Sequence, residues 1–390
     1  IVTLLSSFGT LVGIGGSIWL SICLGQKNEK RASQILYNSF VMLVVLSICL
    51  TLGFILLKHN LIYWFGGSDA LYPYANTYLT IYTLGTFFAL MSIGLNYFIT
   101  GQGYATIAML SVCIGAITNI IFDFILIRTL KIGVAGAAIG TVVAQFLSCM
   151  FVFCFLRFKS KIKLHKEELS IEKMKHIVKL GFSPFLIIAS DSIILIVMNM
   201  MLQKYGGNMG DIYISAITVA QSYFLLITGP LLGISSGTQP IFAYHFGSQN
   251  LKKIKEAFKI VISFAFLFCL VMFIISMCYS NVFVAMFTND AMTMPIADRA
   301  IKIFCLGILM MSIQYVLVDG ITGLSNVKLS LFLSLNRKMM YLGCTCLLPA
   351  FLGVSNIFYA QPIADIYASI VTIVCFIKII PSYLKSHGVK

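Results

Sequence analysis

The chain has 390 residues, of which 59% are hydrophobic and only 10% charged, with a mean hydropathy of +0.96. A soluble domain carries roughly 25% charged residues, so a water-soluble enzyme is excluded and the length divides instead into spans of ~20 apolar residues, each crossing ~30 Å of hydrocarbon. The net charge of +14 does not argue for nucleic acid, because the basic residues sit in loops between apolar runs.

Uninterrupted apolar runs predict eleven membrane helices, at 1–24, 37–57, 76–98, 106–127, 135–156, 180–203, 212–244, 258–280, 300–322, 329–350 and 357–380. Cytoplasmic loops hold the excess of Lys and Arg, and placing the loop after the first span inside puts 21 of the 27 basic residues on that side. They are Lys27, Lys30 and Arg31, the eight from Arg157 to Lys179, Lys252, Lys253, Lys255, Lys259, Lys328, Arg337, Lys338, and the tail Lys378, Lys385 and Lys390. The opposite side keeps Lys58, Arg128, Lys131, Lys204, Arg299 and Lys302. The pattern alternates at every loop and predicts a multi-pass plasma-membrane protein with a cytoplasmic C-terminus.

The segment 157–179, RFKSKIKLHKEELSIEKMKHIVK, is the one extended polar stretch. It reads as a cytoplasmic linker between an N-terminal lobe at 1–156 and a C-terminal lobe at 180–390. Ile171, Met174, Ile177 and Val178 lie at helical spacing, which suggests a short amphipathic helix on the cytoplasmic leaflet, where anionic headgroups would attract it. A solvated linker with the usual positive-inside bias is the competing reading.

Beyond the linker the sequence repeats itself. Gly15, Gly25, Asn28, Phe65, Pro73, Ala75, Leu84, Gly85 and Gly101 recur as Gly237, Gly247, Asn250, Phe287, Pro295, Ala297, Leu306, Gly307 and Gly323, at a constant offset of 222 residues. The number of identities is near chance for two apolar stretches; the weight lies in the Gly, Pro and Asn residues that open or close helices. Duplicated helical bundles in membranes are mostly transporters, whose halves rock about a site held between them. The expected fold is all-α and polytopic, with two six-helix lobes. Gly181, which opens the second half, has no counterpart after Ile1, so eleven helices are present and a first helix is expected upstream.

Together these stretches resemble the multidrug and toxic compound extrusion (MATE) transporters. The strings that carry the resemblance are GFSPFLIIASDSIILIVMNMMLQKYGG at 181–207, SSGTQPIFAYHFGSQNLKKIKEAF at 235–258, LSLFLSLNRK at 329–338, AQPIADIYA at 360–368, and TNIIFDFILI at 118–127 followed by GVAGAAIGT at 133–141. The resemblance covers essentially all 390 residues, and the bacterial subgroup with the DinF-like and MepA-like exporters is the most similar. The resemblance implies twelve helices, a V-shaped cavity, and export of organic cations in exchange for sodium ions or protons. It also implies an N-lobe cation site at Asn119, Asp123 and Thr141, completed by an Asp on the helix upstream.

Of thirteen acidic residues, Asp123, Asp191, Asp319 and Asp365 fall within predicted spans. An ionisable group at bilayer depth costs ~2.5 kcal/mol or more and is retained where it lines a cavity or finds a partner. Asp191 lies about ten residues into its helix, roughly 15 Å deep, with Asn199 two turns on. It suits either ion coupling or a buried hydrogen bond. Asn119 and Asp123 share a helical face, and with Thr141 on the next helix they supply hard oxygen donors suited to sodium. Asp123 also lies near the outer end of its helix, where an interfacial role is the alternative.

Asp365 follows Pro362, which would break a helical ladder, and can gate the helix or balance Arg337. Asp319 reads as a wet boundary residue, with Gln314 above it facing a cavity. Tyr223, Phe224, Tyr315, Met198 and Met311 offer rings and thioethers for a flat organic cation. Pro184, Pro230 and Pro240, with Gly229, are candidate bending points. Eleven scattered Cys and five His form no zinc or redox pattern, and no phosphate loop or nucleophile elbow appears. No enzymatic role or cofactor is expected beyond Na+ or H+ as coupling ion, and the expected partners are small organic cations and the bilayer, for a monomer. The alternatives are a lipid-linked oligosaccharide flippase of the same superfamily and a non-transporting membrane sensor or scaffold.

Overall fold

The structure, a computed structural model, describes residues 2–64, 72–288 and 290–389, and within them not the side chains of 2–4, 63, 64, 189, 191–193, 195 and 208. The described residues form thirteen α-helices and no strand. The first six are α1 (Val2–Gly25), α2 (Glu29–Trp64), α3 (Tyr72–Leu84), α4 (Thr86–Gly101), α5 (Ala105–Asp123) and α6 (Val134–Cys154). The other seven are α7 (Ile171–Gly206), α8 (Gly210–Gly247), α9 (Leu251–Phe287), α10 (Thr293–Cys305), α11 (Ile308–Gly323), α12 (Val327–Leu352) and α13 (Ala360–Ser386). The chain divides into two compact units, Ile1–Ala189 and Ser190–Lys390, with the boundary inside α7.

The repeat read in the sequence is present in the backbone. Lys27 and Gln249, one offset apart, both take left-handed φ, 59° and 55°, and so do Gly103 and Ser325, at 89° and 63°. The Asn that follows the first pair caps the next helix in each unit: Asn28 Oδ1 accepts from Arg31 N and Asn250 Oδ1 from Lys253 N, both at 3.0 Å. Packing repeats as well, since α1 lies on α4 as α8 lies on α11, and α5 on α6 as α12 on α13.

Two expected spans, 76–98 and 300–322, are each a pair of helices, bent by 56° between α3 and α4 and by 49° between α10 and α11. The bends fall at Gly85 and Gly307, one offset apart. A Cβ at Gly85 would lie 2.5 Å from Val142 of α6, and one at Gly307 2.9 Å from the Cβ of Asp365 on α13. The missing side chain lets the neighbouring helix press into the bend, which continuous hydropathy does not register. Among the described residues seven helices are long and apolar enough to cross a membrane, and nine such spans result if each bent pair is one. α7 and α12 occupy the two remaining expected positions.

The segment 157–179 belongs to the first unit and is strapped to it. Asn38 of α2 donates to Glu168 O (2.9 Å) and accepts from Ser170 N (2.8 Å). Gln102, after α4, exchanges two bonds with the Ile162 backbone, at 3.2 and 2.7 Å. The amphipathic turns expected on the leaflet are the first turns of α7, continuous with the span, with Ile177 buried and Ile171 exposed. α1 and α7 cross in direct backbone contact: a Cβ on Gly181 would lie 1.8 Å from Leu11 O, and one on Gly15 2.2 Å from Ile177 O.

Candidate functional site

Unit 1 brings together the three residues expected at its cation site. Asn119 Nδ2 reaches Asp123 Oδ1 and Thr141 Oγ1, both at 3.4 Å, and Thr141 Oγ1 donates to Ala137 O at 2.9 Å. All three are half-buried. Helical spacing stacks Asn119 under Asp123 on α5, and α6 brings Thr141 alongside because Gly140 leaves room, a Cβ there falling 2.5 Å from Asp123 Oδ1. Both 3.4 Å contacts are at the long limit of a hydrogen bond, and only the first reaches the carboxylate, which is therefore weakly held. Carboxylate, amide and hydroxyl oxygens are the donor chemistry a sodium ion takes, and the carboxylate alone can carry a proton.

The cluster opens on a cavity of about 440 Å³ between α4, α5 and α6, whose polar wall includes Asn96, Ser111, Gln145 and Ser148 with Asn119 and Thr141. Asn96 Oδ1 accepts from Ser111 Oγ at 2.9 Å, and Gln145 Nε2 donates to Tyr82 OH at 3.3 Å. Among the described residues Gln145 Oε1, buried, has no hydrogen-bond partner. These cavity residues were not singled out in the sequence, although a signal existed. Thr141, Gln145 and Ser148 recur at i, i+4 and i+7, as Ser111, Gly115 and Asn119 do at i, i+4 and i+8, which draws a polar stripe down a membrane helix.

Unit 2 uses its acids differently. Asp365, fully buried, accepts from Arg337 Nε at 2.8 Å and from Gln361 Nε2 at 2.9 Å. The Arg337 guanidinium also donates to Tyr315 OH at 3.1 Å and lies 5.1 Å from that ring's centroid. Both alternatives for Asp365 were open in the sequence, and the geometry is that of a balanced pair. Pro362 falls in the first turn of α13, where its missing N–H breaks no ladder. Asp319, read in the sequence as a wet boundary residue, is half-buried and accepts from the buried Gln239 of α8 at 2.8 Å.

Of the other expected site residues, the Asp191 side chain lies outside the described residues. Met198 is fully buried and receives a 3.9 Å contact from Tyr341 OH, while Asn199 is half-buried. Tyr223 is buried, bonded to Ser276 Oγ at 3.0 Å and edge-on to Phe283, so it packs against α9. Gln314 is buried, and its Oε1 has no hydrogen-bond partner among the described residues. Pro230 is exposed inside α8, which runs through it and Pro240 without interruption.

The family model described as MatE matches residues 1–125 and 188–342. The chain belongs to the MatE family. It is therefore a multi-pass membrane transporter and no enzyme. Multidrug export protein MepA of Staphylococcus haemolyticus (strain JCSC1435) is 25% identical over 373 residues, covering 94% of this chain and 80% of the relative. MepA of Staphylococcus saprophyticus is 23% identical over 368 residues, with the same coverage of 94% and 80%. Among solved structures, a MOP superfamily transporter from Pyrococcus furiosus superposes with a TM-score of 0.92 at 21% identity, covering 98% of this chain and 86% of that one. The outward-facing form of a multidrug resistance MATE transporter gives 0.92 at 22%, with the same coverage of 98% and 86%. At these identities the structures establish the MatE fold. The part played by Asn119, Asp123 and Thr141 rests on this chain's own geometry.

Proposed function

We propose that the protein is a secondary antiporter that exports organic cations or drugs in exchange for Na+ or H+, with Asn119, Asp123 and Thr141 as its coupling site. The observation that carries this reading is the weakly held Asp123 carboxylate, whose neighbours Asn119 and Thr141 line a cavity. A cation arriving there from one side replaces the long amide contact with a short charge-assisted one, so the loaded and unloaded sites favour different packings of α5 and α6. That differential binding is what lets an ion gradient drive a conformational change. The MepA relatives are named multidrug export proteins, which supports a drug as cargo.

The rival lipid-linked oligosaccharide flippase would need cationic side chains available to a pyrophosphate. Arg337, a prime candidate, is already committed to Asp365 and Tyr315, which favours the antiporter. The Pyrococcus relative is described as having a binding pocket of reversed polarity that suggests a different function, so fold alone does not choose the cargo. A scaffold or sensor would leave Asp123 and its cavity without a task.

Ethidium efflux from proteoliposomes, under a sodium or a pH gradient imposed separately, tests the reading. We expect efflux to follow one gradient and to disappear in Asp123→Asn, with Asp191→Asn run alongside. Gradient-independent behaviour of the folded wild type would sink the antiporter and advance the flippase.

A further inference from the structure

A second cavity of unit 1 has a different character. About 340 Å³ in volume, it lies where α1, α2 and the start of α7 meet, on the face that the basic residues assign to the cytoplasm. Arg31, Lys173, Lys175 and Lys179 line it, opposed by a single lining carboxylate, Glu172. The ring of Trp19, buried, packs 4.4 Å from that of His176, and the Arg31 guanidinium sits 5.2 Å from the Trp19 centroid. Lys173 Nζ donates to Gln34 Oε1 at 2.6 Å, which holds the ammonium between α2 and α7.

Positive-inside bias would put cations on this face in any case, but it does not explain why these ones converge without counter-ions. Elsewhere on the face two basic residues do find carboxylates. Lys161 meets Glu29 at 2.9 Å, and Lys253, the repeat counterpart of Arg31, meets Glu256 at 2.9 Å. The residue that corresponds to Glu256 in unit 1 is Gln34. The repeat thus holds an acid in one unit and an amide in the other, and the amide spends its oxygen on Lys173. Among the described residues Arg31, Lys173, Lys175 and Lys179 make no ion pair.

Two further features make the cavity attractive to an anion. Ser170, on its rim, accepts from Lys173 N at 3.4 Å and so caps the 36-residue α7, whose N-terminal residues line the cavity and place the positive end of the helix dipole beside it. His176, outside the predicted span at 180–203, has its pKa lowered by burial and then by the nearby charges of Lys179 and Arg31, against the pull of Glu172. That shift favours the neutral form of the imidazole. Like charges gathered in a concave site repel one another, and an acceptor-rich anion relieves that repulsion with charge-assisted hydrogen bonds.

We propose that this cavity is a binding site for a phosphate group presented at the cytoplasmic membrane boundary, held by Arg31, Lys173 and Lys179 at the start of α7. An anionic phospholipid headgroup and a soluble phosphorylated molecule share that chemistry. Either would clamp α1, α2 and α7 together beside the Gly15–Gly181 crossing, and so stiffen unit 1 independently of the cation site.

The test uses the whole protein in neutral detergent. Its thermal unfolding midpoint is followed with phosphatidylglycerol, with phosphatidylcholine of the same acyl chains, and with inorganic pyrophosphate. We expect the midpoint to rise with phosphatidylglycerol, as binding to the native state requires, and to stay put with phosphatidylcholine. A rise with pyrophosphate and none with phosphatidylglycerol would support a soluble phosphate as the occupant. Arg31→Gln, Lys173→Gln and Lys179→Gln combined should weaken the response about tenfold or more. The matched charge loss Lys252→Gln, Lys253→Gln and Lys255→Gln in unit 2 should leave it intact. Equal weakening by both triple variants, or no rise with any phosphate, overturns the proposal. In case the pocket variant fails to fold, Trp64→Phe leaves Trp19 as the sole tryptophan. Its emission should then titrate with the phosphate ligand, and an unchanged emission also overturns the proposal.

Discussion

Asp365 and Asp123 are both in-span carboxylates, and their partners give them different uses. Asp365 has a guanidinium on one oxygen and an amide on the other, so its charge is neutralised inside the protein. Removing one partner of a buried pair strands the other. Arg337→Gln is therefore expected to cost about 3–5 kcal/mol, and adding Asp365→Asn should recover part of the loss, as read by thermal unfolding in detergent. Among the described residues Asp123 accepts one long bond, from Asn119 at 3.4 Å, and Gly140 leaves the room it occupies. Gly140→Ala is expected to displace the carboxylate, with its Cβ 2.5 Å from Oδ1, and to reduce gradient-driven efflux while the unfolding midpoint stays near wild type. At this scale the sequence made the charges legible, because an ionised group within an apolar run stands out. It did not reveal that Asp319 meets Gln239, since the partner lies 80 residues away on α8.

Helices in this chain meet through their smallest residues, as expected where lipid offers no hydrophobic drive for association. The α1–α7 crossing is the sharpest case. Gly181→Ala should destabilise the protein by about 3 kcal/mol or more, since its Cβ would strike the Leu11 carbonyl at 1.8 Å. Gly233→Ala in α8 meets nothing within 4 Å and should be neutral or stabilising by a few tenths to about 1 kcal/mol through helix propensity. Paired unfolding curves distinguish the two. Helix ends carry their own pH dependence. Asp290 accepts from the backbone N–H and the hydroxyl of Thr293 at the start of α10, and those bonds lower its pKa. A depressed carboxylate stabilises above its unfolded value and loses that contribution as pH falls through the folded one. The stability gap between wild type and Asp290→Asn should accordingly narrow on acidification. Glycine positions were legible as repeat markers, but what each one touches was not. Gly85 and Gly307 turned out to be bends, whereas Pro230 and Pro240 lie within an unbroken helix.

The two units share a backbone plan and differ in charge. The α5–α6 pair of unit 1 holds a weakly bonded carboxylate, and the corresponding α12–α13 pair of unit 2 holds one paired with a guanidinium. The same asymmetry recurs on the basic face, where Gln34 holds the repeat position that Glu256 holds in unit 2. Orientation is testable directly. In a cysteine-free background, Ser386→Cys should react with a membrane-impermeant maleimide in inside-out vesicles and be protected in right-side-out ones; the reverse pattern would invert the topology.

Composition and periodicity alone determined that the chain is a bundle of membrane helices built from a duplicated unit. Membrane insertion depends on local apolar runs, and the repeat is a property of the string. Tertiary structure decided which acids are neutralised, which spans bend and which polar side chains share a cavity. Those outcomes depend on side chains from helices far apart in sequence. An Asp reads the same in the sequence whether an arginine or an amide lies against it, and only packing sets whether its charge is already balanced or open to an incoming cation.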